Sequence, residues 1–335
     1  MNKVLLLIPY FGQWPPYIEL YLYSCSRQRG IDFMIFTDCK IPACRYDNVI
    51  FKPISFEDYC LFVSERLSIP FKPACAYKLC DLKPFYGVVH MRELDNYDWW
   101  GFGDVDLVYG NLSLLVNESN MRKYELLTTH MGRVAGHFTV IRKDSIYTHL
   151  CLKIPHWQNC LCTDNYYALD ERIFSRIVMT RKYKTIKTLY HMVCKPLMPS
   201  GWKYYCYYRW GQILRFWDSR ILMMEYFTSF KPAPDVVCYY NLATGDITCS
   251  DQQLDKISSD VAKLYLHFLF FKKTPYYETT EYWKDNYYGI PQDYDFSSGG
   301  VVEISTKGMR VRKAFSPCLL QHSKRKPDDD KNEVS

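Results

Sequence analysis

Asp104 and Asp106 are the residues of this chain whose types and spacing most directly offer chemistry. They close the run Tyr97-Asp98-Trp99-Trp100-Gly101-Phe102-Gly103-Asp104-Val105-Asp106-Leu107-Val108-Tyr109-Gly110, and Asn111 follows it. In extended backbone, positions i and i+2 project to the same side, so the two carboxylates can converge on one object. Side by side they raise one another's pKa unless a cation sits between them. Mg2+ and Mn2+ accept carboxylate oxygens and keep positions open for water and phosphate oxygens. The pair therefore reads as a holder of a metal that holds a diphosphate. For an isolated D-x-D, a solvated turn after a strand is the commoner explanation.

Such a pair needs elements that end at one rim. Val4 to Ile8 is a continuous apolar run closed by Pro9-Tyr10-Phe11-Gly12, the pattern of a strand buried on both faces. Pro15-Pro16 open a helical pattern that Gly30 is placed to stop, and Phe33 to Asp38 is a second buried strand. Strand, helix and strand in this order make a βαβ unit. The fold class is α/β, with a mostly parallel central sheet flanked by helices. Ligands of such sheets bind beyond the carboxyl ends of the strands, where Tyr10-Phe11-Gly12 and Asp38 lie. Asp38 suits a ribose or base, and suits a turn equally. Neither loop carries a dinucleotide fingerprint or a phosphate-binding P-loop.

Val49-Ile50-Phe51 reads as a third strand, Ser55 to Leu67 as a helix, and Ala74 to Phe85 as another. Lys78 and Asp81 share a face of that last helix; a surface ion pair explains them, and so does a lysine aimed at a phosphate. Leu126 to Thr129 and His137 to Arg142 are further strands. Asp170 and Glu171 open a helix, where its dipole favours acids and where a carboxylate can also serve as a base for a substrate hydroxyl. Val237 to Tyr240 and Ile247 to Cys249 read as a hairpin, as do Val301 to Ile304 and Met309 to Val311. His267 lies inside the apolar run 261–273, where a satisfied core histidine is the default.

Composition narrows the function classes. A net charge of +6 suits an anionic ligand, but no basic block interleaved with aromatics resembles a nucleic-acid module, so no nucleic-acid partner is expected. The 14 cysteines show no C-x-x-C, and the scatter of Cys25, Cys39, Cys44, Cys60, Cys75, Cys80 and Cys151 fits reduced thiols in a cytoplasmic protein. The first apolar run is too short for a signal-peptide core, and no run of about 18 apolar residues offers a membrane span. The basic and aromatic stretch 201–230 reads first as a packing segment or acceptor pocket. Its second reading is a peripheral contact with the inner, cytoplasmic membrane surface.

The D-x-D segment from Asp98 to Asn111, with Tyr77 to Pro84 and Tyr265-Leu266-His267-Phe268, resembles the GT-A glycosyltransferases. Within them it is most similar to an uncharacterised bacterial group associated with capsule and surface-polysaccharide synthesis. The resemblance spans roughly residues 3 to 275, and it implies a GT-A-like (Rossmann-like) fold and a metal-dependent transfer of a sugar from a nucleoside-diphosphate sugar. The acceptor would be a glycan or lipid-linked saccharide. Asp104, Asp106 and His267 would hold Mn2+ or Mg2+, with Asp104 nearer the ribose. Pro9, Tyr10, Phe11, Gly12, Asp38 and Lys78 would border the nucleotide. Gly136-His137 would face the acceptor with Asp170 and Glu171, either of which would be the catalytic base if the reaction inverts.

The expected organisation is a catalytic domain over 1–275, a small β or irregular extension over 276–322, and a charged, disordered tail over 323–335. Two rival readings fit the same residues. Asp104-Val105-Asp106-Leu107-Val108 fits a haloacid-dehalogenase-like phosphatase with Asp104 as nucleophile, although that family places its motif on the first strand. The other rival is a non-catalytic scaffold that binds carbohydrate or a membrane surface.

Overall fold

A computed structural model of the chain describes residues 3–130, 132–179, 188, 192, 220–223, 237–249, 264–267, 290, 294–305 and 308–312. Its centre is β1 (Val4–Pro9), whose run of β-branched and leucyl side chains is buried on both faces. β1 pairs in parallel with β2 (Ile31–Thr37) on one side and with β4 (Trp99–Gly103) on the other, and β2 pairs in parallel with β3 (Val49–Pro53). Beyond β4 come β7 (Phe138–Arg142), β6 (Leu126–Thr128) and β8 (Ile221–Met223), giving the order β3-β2-β1-β4-β7-β6-β8. β7 runs antiparallel to both its neighbours, while β6 and β8 are parallel. This is the expected α/β architecture, a mostly parallel sheet flanked by helices.

Because side chains alternate along a strand, β1 feeds two cores. Leu5 and Leu7 pack with Tyr59, Cys60, Val63 and Leu67 of α2 (Phe56–Leu67). Val4, Leu6 and Ile8 pack with Ile18, Tyr21, Leu22 and Cys25 of α1 (Ile18–Ser26) on the opposite face. Gly101 on β4 faces Leu6 and Val140, and its Cα lies so close to the Thr139 carbonyl that no β-carbon fits there. α1 closes at Ser26, earlier than Gly30; Gly30, at φ 75°, instead turns the chain into β2. The helix expected over Ala74 to Phe85 is a succession of short 3-10 and α turns, broken where Pro84 lacks an N–H.

The far side of α1 is also covered. β9 (Cys238–Asn241), β10 (Ile247–Cys249), β12 (Val301–Ser305) and β13 (Gly308–Arg312) form an antiparallel sheet in the order β10-β9-β12-β13. Tyr17, which precedes α1, and Leu20 and Tyr23 of α1 pack on its Cys238, Tyr240, Val302 and Ile304. Both expected hairpins are present, and β9 pairs with β12, so residues on either side of position 276 share one sheet.

The seven cysteines cited for a reduced chain are all free thiols, and Cys238 is disulfide-bonded. No helix of the described residues is long and apolar enough to cross a membrane. Most of the stretch 201–230, and the whole of the tail 323–335, lie outside the described residues.

Candidate functional site

β1, β2 and β4 are parallel, so their carboxyl ends deliver Tyr10, Asp38 and Asp104 to the same rim. After Gly103 the chain turns through Asp104-Val105-Asp106 into β5 (Leu107–Tyr109), which pairs antiparallel with β11 (Tyr265–His267). In that register His267 sits opposite Leu107, next to Asp106. His267 Nε2 lies 3.5 Å from Asp106 Oδ2, and both side chains are 7% exposed. Two neighbouring ligands of one divalent ion, each about 2.1 Å from it, stand about 3 Å apart. Asp106 and His267 are donors of the types such an ion takes, but Asp104 does not join them in a group of three ligand atoms within 4.8 Å.

Asp104 is fixed differently. Its backbone N–H donates to the His137 carbonyl at 3.2 Å, and its Oδ1 accepts from Lys83 Nζ at 2.5 Å. Lys83 also donates to the Gly136 carbonyl at 2.9 Å. The lysine is buried, which by itself would favour loss of its proton. The Asp104 carboxylate outweighs that penalty and holds the ammonium charged, with its pKa above the ordinary lysine value. Lys83 thus ties the acidic loop to the loop that precedes β7; the sequence places it on a helix leading toward the acidic pair but gives it no role there. The signal was available, because a lysine between Leu82 and Pro84-Phe85 in an apolar stretch is buried only with a partner.

The turn over Leu169–Phe174 packs against Gly136 and carries the two candidate bases. A β-carbon added to Gly136 would collide with Asp170 Oδ2, so glycine is what admits the carboxyl there. Burial pushes the Asp170 carboxyl up to about 7, against the pull of the nearby Lys83 ammonium. Glu171 is occupied otherwise: Oε2 pairs with Arg133 Nη1 at 2.9 Å, and Oε1 accepts from Gly136 N–H at 3.4 Å. Asp170 has the raised pKa and the burial that suit proton uptake near neutral pH, whereas the Glu171 carboxylate is engaged by Arg133.

His137 connects these parts. Its ring stacks on His267 with centroids 4.4 Å apart, and Nε2 meets the Tyr265 hydroxyl at 2.7 Å. That hydroxyl donates to Thr129 Oγ1 at 2.6 Å, so it accepts from Nε2–H and leaves the Nδ1 lone pair available. Burial, then the neighbouring His267, hold His137 well below the ordinary histidine pKa, hence neutral. Ligand atoms of His130, His137 and Glu171 lie within 4.8 Å of one another. The Arg133 guanidinium bridges two of these residues, meeting His130 Nε2 at 3.1 Å.

The first loop is preformed. Gly12 N–H donates to Asp38 Oδ1 at 2.8 Å, so Asp38 does act as a loop fastener. Tyr10 stacks on Trp14 with centroids 5.0 Å apart. Burial, then the charges of Cys39 and Asp106, raise the Tyr10 phenol to about 12, which places this loop within electrostatic reach of the acidic pair.

Lys78 is elsewhere. Neither a surface pair nor a free phosphate ligand, it is buried with Asp81, with Nζ 3.0 Å from Asp81 Oδ2 and 2.7 Å from the Cys160 carbonyl. It also donates to the Asn165 carbonyl. The structure places Pro9 to Gly12, Asp38, Asp104 and Asp106 at one rim and sets His267 against Asp106, while Lys83 ties Asp104 to Gly136, on which Asp170 and Glu171 pack. Lys78 serves the scaffold.

The model of a family of unknown function, DUF6625, matches residues 6–295, and the chain belongs to that family. No curated protein matches it. Among solved structures, the chain is similar to mouse xyloside xylosyltransferase 1 in its apo form, at 13% identity and a TM-score of 0.32, over 53% of this chain and 81% of the mouse protein. It is similar at 8% identity and a TM-score of 0.33 to a glycosyltransferase involved in glycosylation of the major capsid of PBCV-1, over 80% of this chain and 93% of that one. The glycosyltransferase GlyE of Streptococcus pneumoniae TIGR4 matches at 11% identity and a TM-score of 0.34, over 89% of this chain and 62% of its own length.

Proposed function

We propose that this member of the DUF6625 family is a divalent-metal-dependent glycosyltransferase. It would move a sugar from a nucleoside-diphosphate sugar to a hydroxyl of a glycan or lipid-linked saccharide. The observation that carries the proposal is the approach of His267 to Asp106, two residues after Asp104, at the carboxyl rim of a parallel sheet. Asp104, Asp106 and His267 would hold Mn2+ or Mg2+, which when bound offsets the negative charge that grows on a departing diphosphate.

The chain's own groups supply the rest. Lys83 fixes the Asp104 carboxylate and the Gly136 carbonyl, so the acidic loop is preorganised before any ligand arrives. Pro9 to Gly12 and Asp38 border the nucleoside. The acceptor oxygen attacks the anomeric carbon while the bond from that carbon to the phosphate oxygen breaks, and the electron pair leaves with the nucleoside diphosphate. In an inverting reaction the hydroxyl proton passes to Asp170, whose carboxylate form is accessible near neutral pH. In a retaining one it passes to the departing phosphate. The setting proposed is surface-polysaccharide synthesis on the cytoplasmic side of a membrane.

The test is hydrolysis of UDP- and GDP-sugars by the purified chain with Mn2+. The expected result is turnover that chelation abolishes and that Asp106→Ala and His267→Ala reduce by at least about a hundredfold. Turnover untouched by both substitutions refutes the metal site. Release of phosphate from a simple phosphomonoester, with no nucleotide-sugar turnover, would instead support the phosphatase.

A further inference from the structure

Tyr77 and Tyr166 are 63% and 46% exposed, yet they are not scattered surface residues. Their rings meet edge to face, with centroids 5.1 Å apart and planes at 61°. Large side chains left in water as an adjoining pair call for an explanation that single ones do not.

The backbone under both rings is held by one buried ion pair. Lys78 directly follows Tyr77, and it donates to the carbonyl of Asn165, the residue directly before Tyr166. Its partner Asp81 accepts from the backbone N–H of Tyr167 at 3.0 Å and of Leu169 at 2.9 Å. The two side chains are 1% and 0% exposed. Ala74 N–H adds a bond to Asp164 Oδ1 at 2.8 Å. A fully buried ion pair is a weak source of net stability, so its value here lies in fixing the geometry of two segments that carry exposed rings.

The same clamp sets the position of the candidate base. Asp81 holds the amide of Leu169, and Asp170 is the next residue. Lys83, which reaches Asp104, belongs to the same helical stretch as Tyr77. Tyr166 thus lies four residues before Asp170 and Tyr77 six before Lys83, on the two segments that carry the acidic end of the site.

We infer that Tyr77 and Tyr166 form a platform on which a pyranose ring of the acceptor saccharide stacks. A sugar ring presents an apolar C–H face and a rim of hydroxyls. Exposed phenol rings accept the face, and neighbouring carboxylates accept hydrogen bonds from the rim. Rings held in place before the sugar arrives lose little freedom on binding it. That the saccharide is an acceptor rests on the glycosyl-transfer reading; that it is a saccharide rests on the platform itself.

The test uses the full chain on an array of immobilised oligosaccharides, comparing wild type, Tyr77→Ala/Tyr166→Ala and Tyr77→Phe/Tyr166→Phe, with melting temperatures as the check on folding. The double alanine variant is expected to melt like wild type and to lose at least about tenfold in apparent affinity, while the phenylalanine variant keeps it. Equal binding by the alanine variant, or no binding by wild type, overturns the platform. Nucleotide-sugar hydrolysis is measured on the wild-type chain alone. No hydrolysis, with saccharide binding that depends on the two rings, refutes the transferase and leaves a saccharide site. Hydrolysis with binding indifferent to the rings refutes the platform only.

Discussion

His267 Nε2 and Asp106 Oδ2 lie 3.5 Å apart because the short antiparallel ladder of β5 and β11 sets His267 beside the acidic loop. This contact predicts how the chain responds to metal. Mn2+ added alone, and more strongly with a nucleoside diphosphate, should raise the melting temperature, since a ligand bound only by the native state stabilises it. His267→Ala should weaken the apparent affinity for Mn2+ by at least about tenfold, because even outer-sphere partners of a metal are worth that much. A titration by thermal shift reads both. A Mn2+ response identical in His267→Ala would exclude this histidine as a ligand.

Asp170 predicts a pH dependence of stability. Its carboxyl titrates near 7 in the folded chain and near 3.8 when unfolded. Below about pH 4 both states are protonated and the group contributes nothing. Between about 4 and 7 the unfolded chain has released its proton and the native one retains it, so stability falls as pH rises, by roughly 1.4 kcal/mol per unit at most. Above 7 the cost is constant, at most on the order of 4 kcal/mol. Asp170→Asn removes this titration. The excess of its melting temperature over that of wild type should grow from pH 4 to 7 and then level off. A difference independent of pH would be incompatible with a buried carboxyl of raised pKa.

The Lys78–Asp81 pair predicts a large structural loss. Lys78→Ala leaves Asp81 buried without its ammonium and removes the donor to two carbonyls, costing about 3–5 kcal/mol in urea unfolding. A loss under about 1 kcal/mol would mean that the pair is solvated.

Two glycines should separate stability from catalysis. Gly87→Ala drives a methyl into the indole of Trp100, which is held by its N–H bond to Thr148 Oγ1 at 3.0 Å. About 1–3 kcal/mol of stability should go, with turnover per folded molecule unchanged. Gly136→Ala displaces the Asp170 carboxyl instead. Turnover should fall by up to about a hundredfold, since a misplacement of roughly 1 Å has that effect. Equal kinetic effects of the two substitutions would separate Asp170 from the reaction.

The alternation along Val4–Pro9, the βαβ order, and the acidic pair at the end of an aromatic strand were legible in the sequence because they depend on neighbours in the chain. The same local logic placed the hairpins at β9–β10 and β12–β13. It failed where a partner is remote. Lys78 and Asp81, three apart, look like a surface pair until the 160–169 segment covers them. Lys83 is an ordinary lysine until β7, running against β4, brings Gly136 and His137 to Asp104. The Tyr77–Tyr166 contact has no local signature at all. The sequence by itself determined the sheet, its two buried faces and the chemistry its rim can offer, because burial and pattern act over a few residues. Only the tertiary structure decided which charges are buried and which acid remains for a proton. Those outcomes depend on desolvation and distance, which no spacing along a chain records.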